Sequence, residues 1–298
     1  MVEISIIIVN YKVKDYIIPC IDSIYQSIGD RITFEIIVVD NESNDGSVDA
    51  IQTLYPQVIQ LHNQHNIGFS KGVNQGAEIA KGEFIFILNP DTVMVSGIES
   101  ILKTIQDDQQ IGAVGPKMTD DQGKVQQSYW QFPTLFNSLL SILHLDWMNH
   151  RKNYRNKTLH ESSEVDTVSG GALLTRSNLF HDNHGFDPNL FWMEDIDYCY
   201  RLKKKGYQII YFTDARVTHH QGKSARRNYQ VAVFNQLISK VKYFTKHGTK
   251  FDQLGISVGV FLISVLKLGI LIWFAPIHKQ YRAKVRGYWS TIKWIISR

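Results

Sequence analysis

The chain has 298 residues, of which 44% are hydrophobic and 20% charged, proportions that exclude global disorder. Its two cysteines, Cys20 and Cys199, lie far apart in apolar, helix-like stretches, so buried free thiols are expected rather than a disulfide framework or a zinc site. The net charge of +4 conceals an asymmetry: residues 1–222 carry 18 Lys and Arg against 27 Asp and Glu, and residues 223–298 carry 14 against the single Asp252.

In chain order, Ile4–Val9 reads as a buried parallel strand of β-branched residues. Met1 leads almost directly into it, so no signal peptide is expected and the catalytic part is placed in the cytoplasm. Residues 15–28 have helical apolar spacing, with Pro19 fitting only in a first turn. Phe34–Val39 is a second strand, closed by the turn-forming run Asp40-Asn41-Glu42-Ser43-Asn44-Asp45-Gly46. A helix over Ser47–Leu54, a strand over Val58–His62, a helix over Ser70–Ala80 and a strand over Phe84–Leu88 complete a βαβαβαβ order, which predicts a doubly wound, mostly parallel α/β sheet.

The middle is less regular. A helix is expected over Gly97–Gln106, an edge strand over Ala113–Met118 and an amphipathic helix over Thr134–Met148. A polar loop follows over Asn149–Glu164, then a strand over Asp166–Thr175, a helix over Ile196–Lys205 and a strand over Gln208–Thr213. From about residue 228 the character changes. Val231–Phe244 is helical, and Leu254–Ala275 is almost wholly apolar and long enough to span a hydrocarbon core of about 30 Å. Lys267 near its middle would cost a spanning helix roughly 2.5–3.5 kcal/mol. Basic residues lie on both sides of the run, where a span shows a one-sided bias. Helices lying in or re-entering the interface are therefore favoured over a single span or a buried helix. Nucleic acid would suit the charge alone, but basic groups flanking an apolar run favour a membrane surface with anionic lipids. The expected division is 1–227 as catalytic domain, with nucleotide binding in 1–118 and acceptor and catalytic functions in 119–227, and 228–298 as a membrane-associating region.

Ligands of open parallel sheets bind beyond the carboxyl ends of the strands. There the sequence places Asn10-Tyr11, Asp40, the run Asn66-Ile67-Gly68-Phe69-Ser70-Lys71-Gly72, and Asn89-Pro90-Asp91. The absence of a G-x-G-x-x-G or basic phosphate loop after the first strand argues against a dinucleotide dehydrogenase, a P-loop protein and a nucleotidyltransferase. Asp40 suits either a turn or an acceptor for a pyrimidine N–H or ribose hydroxyl. Asp91 suits either a helix start or a ligand to a hard divalent cation, Mg²⁺ or Mn²⁺, beside a diphosphate. Lys71 is either a solvated helix residue or positive charge near phosphates. Glu194, Asp195 and Asp197 follow the aromatic stretch ending in Trp192. Acids at a helix start can be dipole partners, and one beside aromatic groups can be a general base. His219 is either structural or the imidazole that completes a metal shell with one carboxylate.

Taken together, Ile7-Ile8-Val9-Asn10-Tyr11, Val38-Val39-Asp40-Asn41-Glu42-Ser43, Asn66 to Asn74, Leu88-Asn89-Pro90-Asp91, Ser169-Gly170-Gly171-Ala172, Glu194-Asp195-Ile196-Asp197 with Arg201, and His219 with Gly222 and Ser224 resemble the family 2 glycosyltransferases of the GT-A fold, in their bacterial rhamnosyltransferase-like branch. The resemblance covers about residues 1–225. It implies a Rossmann-like sheet flanked by helices and an inverting transfer of a hexosyl unit from a nucleotide-diphosphate sugar. Asp40 and Asn10 would hold the pyrimidine, with Tyr11, Asn66, Gly68, Lys71, Asn74, Asn89 and Asp91 along the donor. Asp91 would be the second acid of the family's D-x-D motif, with Asn89 replacing the first. Asp195 would be the general base, with Glu194 as competing candidate, His219 a metal or diphosphate contact, and Trp192 and Asp197 on the acceptor side. Gln221 stands where many relatives have glycine. The branch implies dTDP-L-rhamnose as donor and a lipid-linked saccharide as acceptor in bacterial cell-surface polysaccharide synthesis, at the cytoplasmic face of the membrane, with a homo-oligomer compatible. Open alternatives are the same chemistry with a UDP-hexose or galactofuranose donor, and a non-catalytic membrane-associated subunit.

Overall fold

The short apolar runs and period-3.6 segments of the first half fold as alternating strands and helices. In a computed structural model describing residues 2–28, 31–143, 145, 160–220, 229–276 and 278–298, they are β1 (Ile4–Asn10), α1 (Lys14–Ile28), β2 (Phe34–Asp40), α2 (Ser47–Leu54), β3 (Ile59–His62), α3 (Phe69–Ile79) and β4 (Phe84–Leu88). β1 and β4 are buried at every position, as their unbroken apolar runs require of strands covered on both faces. β2 and β4 flank β1 and β3 lies outside β2, all parallel. The chain thus reverses its strand order between β1 and β4, where an open α/β sheet forms its ligand crevice.

Pro19 corrects the sequence reading of α1: the helix starts at Lys14, so the proline lies beyond the first turn. The helix survives because Pro19 and Asp15, whose carbonyl loses its partner, are both exposed and water can replace the missing N–H.

β5 (Thr92–Ser96), which the sequence reading omitted, and α4 (Ile98–Asp107) lead to β6 (Ile111–Thr119). β6 is an interior strand rather than an edge, antiparallel to β11 (Ala172–Arg176) and parallel to β12 (Gln208–His219). Its small residues explain the difference: a Cβ on Gly115 would lie 2.5 Å from Val168 Cβ, so close packing, not exposure, selects glycine. Pro116 pairs with Phe212, next to the point where the register of β12 shifts, and a bulge tolerates the missing donor.

Short strands β7 (Val125–Gln126), β8 (Tyr129–Trp130), β9 (Ser163–Val165) and β10 (Thr167–Val168) follow. The single strand expected over Asp166–Thr175 is divided into β10 and β11 by a turn in which the Ala172 N–H donates to Ser169 O at 3.2 Å. Among the described residues the main sheet has ten strands, running β3-β2-β1-β4-β11-β6-β12-β5 with β7 and β9 attached. α6 (Ser177–Asp182) and α7 (Glu194–Lys204) also belong to this part of the chain.

The chain forms two compact units, one of Met1–Phe132, Tyr154–Pro188 and Glu194–Ser224, the other of Pro133–Asn153, Asn189–Met193 and Ala225–Arg298. The second contains α5 (Leu135–Ile142), α8 (Tyr229–His247), α9 (Lys250–Leu271) and α10 (Lys279–Ile296). Thr249 and Asp252 start α9 with a reciprocal capping box, the Asp252 N–H donating to Thr249 Oγ1 at 3.2 Å and the Thr249 N–H to Asp252 Oδ2 at 3.0 Å. The end of the Thr134–Met148 helix, most of the Asn149–Glu164 loop, and Gln221, Gly222 and Ser224 lie outside the described residues.

Candidate active site

Parallel register brings the last residues of β1 and β2 side by side, pairing Asn10 with Asp40. The Asn10 Nδ2 donates to Asp40 Oδ1 at 2.7 Å and also lies 2.7 Å from Ser47 Oγ and 3.0 Å from Ser43 Oγ. Asp40 Oδ2 accepts the Ser43 N–H at 3.0 Å. Asn10 Oδ1 is buried with no partner among the described residues, an acceptor left open to a ligand's N–H or O–H. Ser43 and Ser47 gained no role from the sequence, because their contacts depend on how the loop after β2 folds. That loop holds Glu42 and Asn44 at φ of 61° and 48°, and Lys12 after β1 is similarly strained at 56°.

The next segment opens α3. Asn66 Oδ1 accepts the Gly68 N–H at 2.9 Å, and Gly68, at φ 89°, has nothing within 4 Å of where a Cβ would stand. The Asn41 amide donates to Gly68 O at 3.4 Å, tying this turn to the β2 loop. Lys71 is exposed, and Tyr11 is half-buried under the Lys12 ammonium at 5.1 Å. Asn74, expected along the donor, instead has both amide atoms on the Phe186 backbone, donating to its carbonyl at 2.8 Å and accepting its N–H at 2.9 Å.

Beyond β4, the Asn89 N–H donates to Gly171 O at 2.9 Å, and the Asn89 carbonyl is held by Thr92 Oγ1 at 2.6 Å and by the Cys20 thiol at 3.6 Å. Cys20 and Cys199 are buried free thiols, each raised to about 12 by burial and so inert as nucleophiles. A side chain on Gly171 would meet Asn89 Nδ2 at 3.0 Å. One residue earlier, the Gly170 N–H donates to Asp195 Oδ2 at 2.9 Å, while Asp195 Oδ1 accepts the Ile196 N–H at 2.8 Å. Burial raises the Asp195 pKa above its ordinary 3.8, and these backbone donors only partly oppose the shift.

Glu194 beside it is buried. Asp197, expected on the acceptor side, is fully buried in an ion pair with Arg201 at 2.8 Å, and Arg201 also donates to the carbonyls of Asn183 and Gly185, the latter at 2.7 Å. That pair shapes the turn before Phe186. Trp192 belongs to the second unit, at φ 65° with its ring 5.2 Å from that of Phe191.

Antiparallel pairing of β12 with β5 sets His219 opposite Thr92 and its Nε2 at 3.3 Å from Asp91 Oδ1. Among the described residues no cluster of three His, Cys, Asp or Glu side chains could hold a metal. The Asp91 carboxylate nonetheless suits Mg²⁺ or Mn²⁺, which one or two carboxylates can hold with water and substrate phosphates completing the shell, and His219 offers a nitrogen beside it.

Asn10–Asp40, Asn89–Asp91 with His219, and Gly170–Asp195 thus lie at the carboxyl edge of one sheet, around a strand-order reversal, the last two groups joined by the Asn89–Gly171 hydrogen bond. A mixed sheet of this strand order, flanked by helices, is the GT-A fold. Its structural neighbours include GalNAc-T7 with UDP, GalNAc and Mn²⁺, at a TM-score of 0.58 and 18% identity over 74% of this chain and 43% of that one. A mannosyltransferase of Pyrobaculum calidifontis in complex with GDP-Man and Mn²⁺ has a TM-score of 0.56 at 15% identity, over 99% and 86%.

Residues 5–181 match the model of glycosyl transferase family 2, and the chain belongs to that family. It is 32% identical over 210 residues to the N-acetylglucosaminyl-diphospho-decaprenol L-rhamnosyltransferase of Mycobacterium tuberculosis, covering 65% of this chain and 68% of the relative. A low-salt glycan biosynthesis hexosyltransferase of Haloferax volcanii is 24% identical over 264 residues, covering 82% and 80%.

Proposed function

We propose that the chain transfers a sugar, L-rhamnose from dTDP-L-rhamnose, to a lipid-linked saccharide with inversion at the anomeric carbon. The observation carrying this reading is the linked geometry of Asp195, Gly170, Asn89 and the Asp91–His219 pair, which brings a carboxylate of raised pKa to the same strand edge as an oxygen and nitrogen pair suited to a cation. The mycobacterial relative, named for an L-rhamnosyl transfer to a diphospho-decaprenol-linked sugar, supports the choice of sugar and acceptor.

Asn10 and Asp40 hold the base. The open Asn10 Oδ1 takes a ligand donor and the Asp40 carboxylate a second. Asp91 and His219 would hold a divalent cation, whose charge stabilises the departing diphosphate. Asp195 removes the proton from the acceptor hydroxyl as that oxygen attacks. The backbone N–H groups of Gly170 and Ile196 orient its carboxylate, and the buried surroundings keep it basic enough for the transfer. Residues 1–227 perform this chemistry, and 228–298 bring the enzyme to the cytoplasmic face of the membrane.

Asp195→Asn is expected to lower transfer by about a hundredfold or more, the scale of a lost general base. Binding of the nucleotide sugar, read by thermal shift with and without Mn²⁺, should stay near the unmodified value. A variant that turns over normally removes Asp195 as base. A panel of dTDP- and UDP-sugars in the same shift assay decides the donor, and stabilisation by UDP-hexoses alone would rule out dTDP-rhamnose.

A further inference from the structure

α9 is the helix among the described residues that is long and apolar enough to cross a membrane. One face packs inward, with Ile256, Val260, Ile263 and Ser264 buried. Beside that face, Gly255 and Gly259 are filled from α5. A Cβ at Gly255 would meet Leu135 Cδ2 at 2.8 Å, and one at Gly259 would meet Leu139 Cδ2 at 2.2 Å. The small-residue spacing that lets membrane helices pair is therefore already occupied within the chain.

The other face is left bare. Phe251, Leu254, Val258, Leu262, Leu266 and Ile270 recur at three- and four-residue intervals and are all exposed, Phe251 at 74% and Leu254 at 65%. Trp273, just past the helix, is 80% exposed. α8 and α10 join α9 through short turns and pack along it. They carry Lys240, Lys242 and Lys246, and Lys279, Arg282, Lys284, Arg286 and Lys293. Were α9 to cross the bilayer, those cations would be drawn into hydrocarbon beside it, which the arrangement forbids.

We infer that α9 lies in the plane of an anionic bilayer with its Phe251–Leu254–Val258–Leu262–Leu266–Ile270 face in the acyl region and Trp273 at the headgroups, as a monotopic anchor and not a span. Charge selects lipid over a second copy of the chain. α9 itself contains one acid, Asp252, tied up in the capping box, and its flanking helices are wholly basic, so two such surfaces repel while anionic headgroups attract. The surface deepens the lipid-linked acceptor reading without depending on it, because vesicle binding is measured with no sugar transfer.

The test uses the full chain with vesicles of phosphatidylcholine, with and without phosphatidylglycerol. Leu262→Glu with Leu266→Glu, both at exposed positions, should weaken binding to the anionic vesicles by about tenfold or more. A polarity-sensitive probe on Phe251→Cys, Leu262→Cys or Trp273→Cys, in the otherwise unmodified chain, should be quenched by shallowly brominated lipid at all three positions. No binding by the unmodified chain, or equal binding by the double variant, overturns the anchor. Quenching deepest at position 262 and shallow at both ends would mean a span. A soluble dimer that the double variant converts to monomer would mean that a second copy covers this face.

Discussion

Asp195 is where burial and hydrogen bonding oppose each other. Desolvation raises its pKa, and the N–H groups of Gly170 and Ile196 pull it down without restoring the ordinary value. A base works in its ionised form, so activity should rise with pH through the pKa of Asp195. The acid limb of kcat/KM is therefore expected above 3.8, the value for an unperturbed aspartate. A limb at or below that value would show that another group takes the proton. Asp40 and Asp91 stand out in the sequence as acids closing apolar strand runs, and Asp195 as one of three acids at a helix start behind an aromatic stretch. Their partners do not. Ser43 and Ser47 reach Asn10 only through a loop with left-handed residues at Glu42 and Asn44; asparagine favours that conformation but glutamate does not, so a turn was legible and its course was not. Asn74, placed along the donor by the resemblance, and Asp197, an acceptor-side candidate that was also the likeliest structural acid of its cluster, have polar atoms serving the turn around Asn183–Phe186, Asn74 through contacts across 112 residues of chain.

At the scale of elements, β1, β2 and β4 were readable because they are wholly or mostly buried on both faces and so appear as continuous apolar runs. β6 and the β10–β11 break were misread because their signal, glycine, has two physical meanings, exposure or close approach, and only the neighbouring structure decides between them. α3 shows the second meaning in a helix. A Cβ on Gly76 would stand 2.7 Å from Ile7 Cγ2 and 3.3 Å from Val39 Cγ2, and one on Gly72 2.9 Å from Val9 Cγ1. Both glycines let the helix that follows the Asn66–Gly68 turn settle onto β1 and β2, the strands that end in Asn10 and Asp40. Gly76→Ala gains about 1 kcal/mol of helix propensity but forces a methyl into β-branched side chains that cannot swing away. Overpacking of this kind costs typically 1–3 kcal/mol. The net expectation is a lower melting temperature and weaker nucleotide binding, read by thermal unfolding with and without donor. A variant as stable as the unmodified chain would show that α3 has room to move off the sheet.

For the whole molecule, the opposed charges of the two halves matter more than their sum. Residues 1–222 are acidic and 223–298 strongly basic, so an anionic bilayer attracts one end of the sequence and repels the other, an orienting force absent from a uniformly basic protein. The apolar face of α9 and the cations of α10 should then contribute separately, and salt distinguishes them: it shortens the Debye length, about 8 Å at physiological ionic strength, beyond which charges are screened, and leaves hydrophobic insertion intact. Arg282 and Arg286 are both exposed, and each cation near an anionic leaflet adds about 1 kcal/mol. Arg282→Gln with Arg286→Gln should accordingly weaken binding to phosphatidylglycerol-containing vesicles by about thirtyfold at low salt. The loss should shrink as salt is added and vanish on phosphatidylcholine alone, and transfer to a water-soluble saccharide acceptor should be unaffected. An equal loss on both kinds of vesicle would mean that these arginines act through packing of α10 rather than through charge, since a zwitterionic surface offers no field for them to sense.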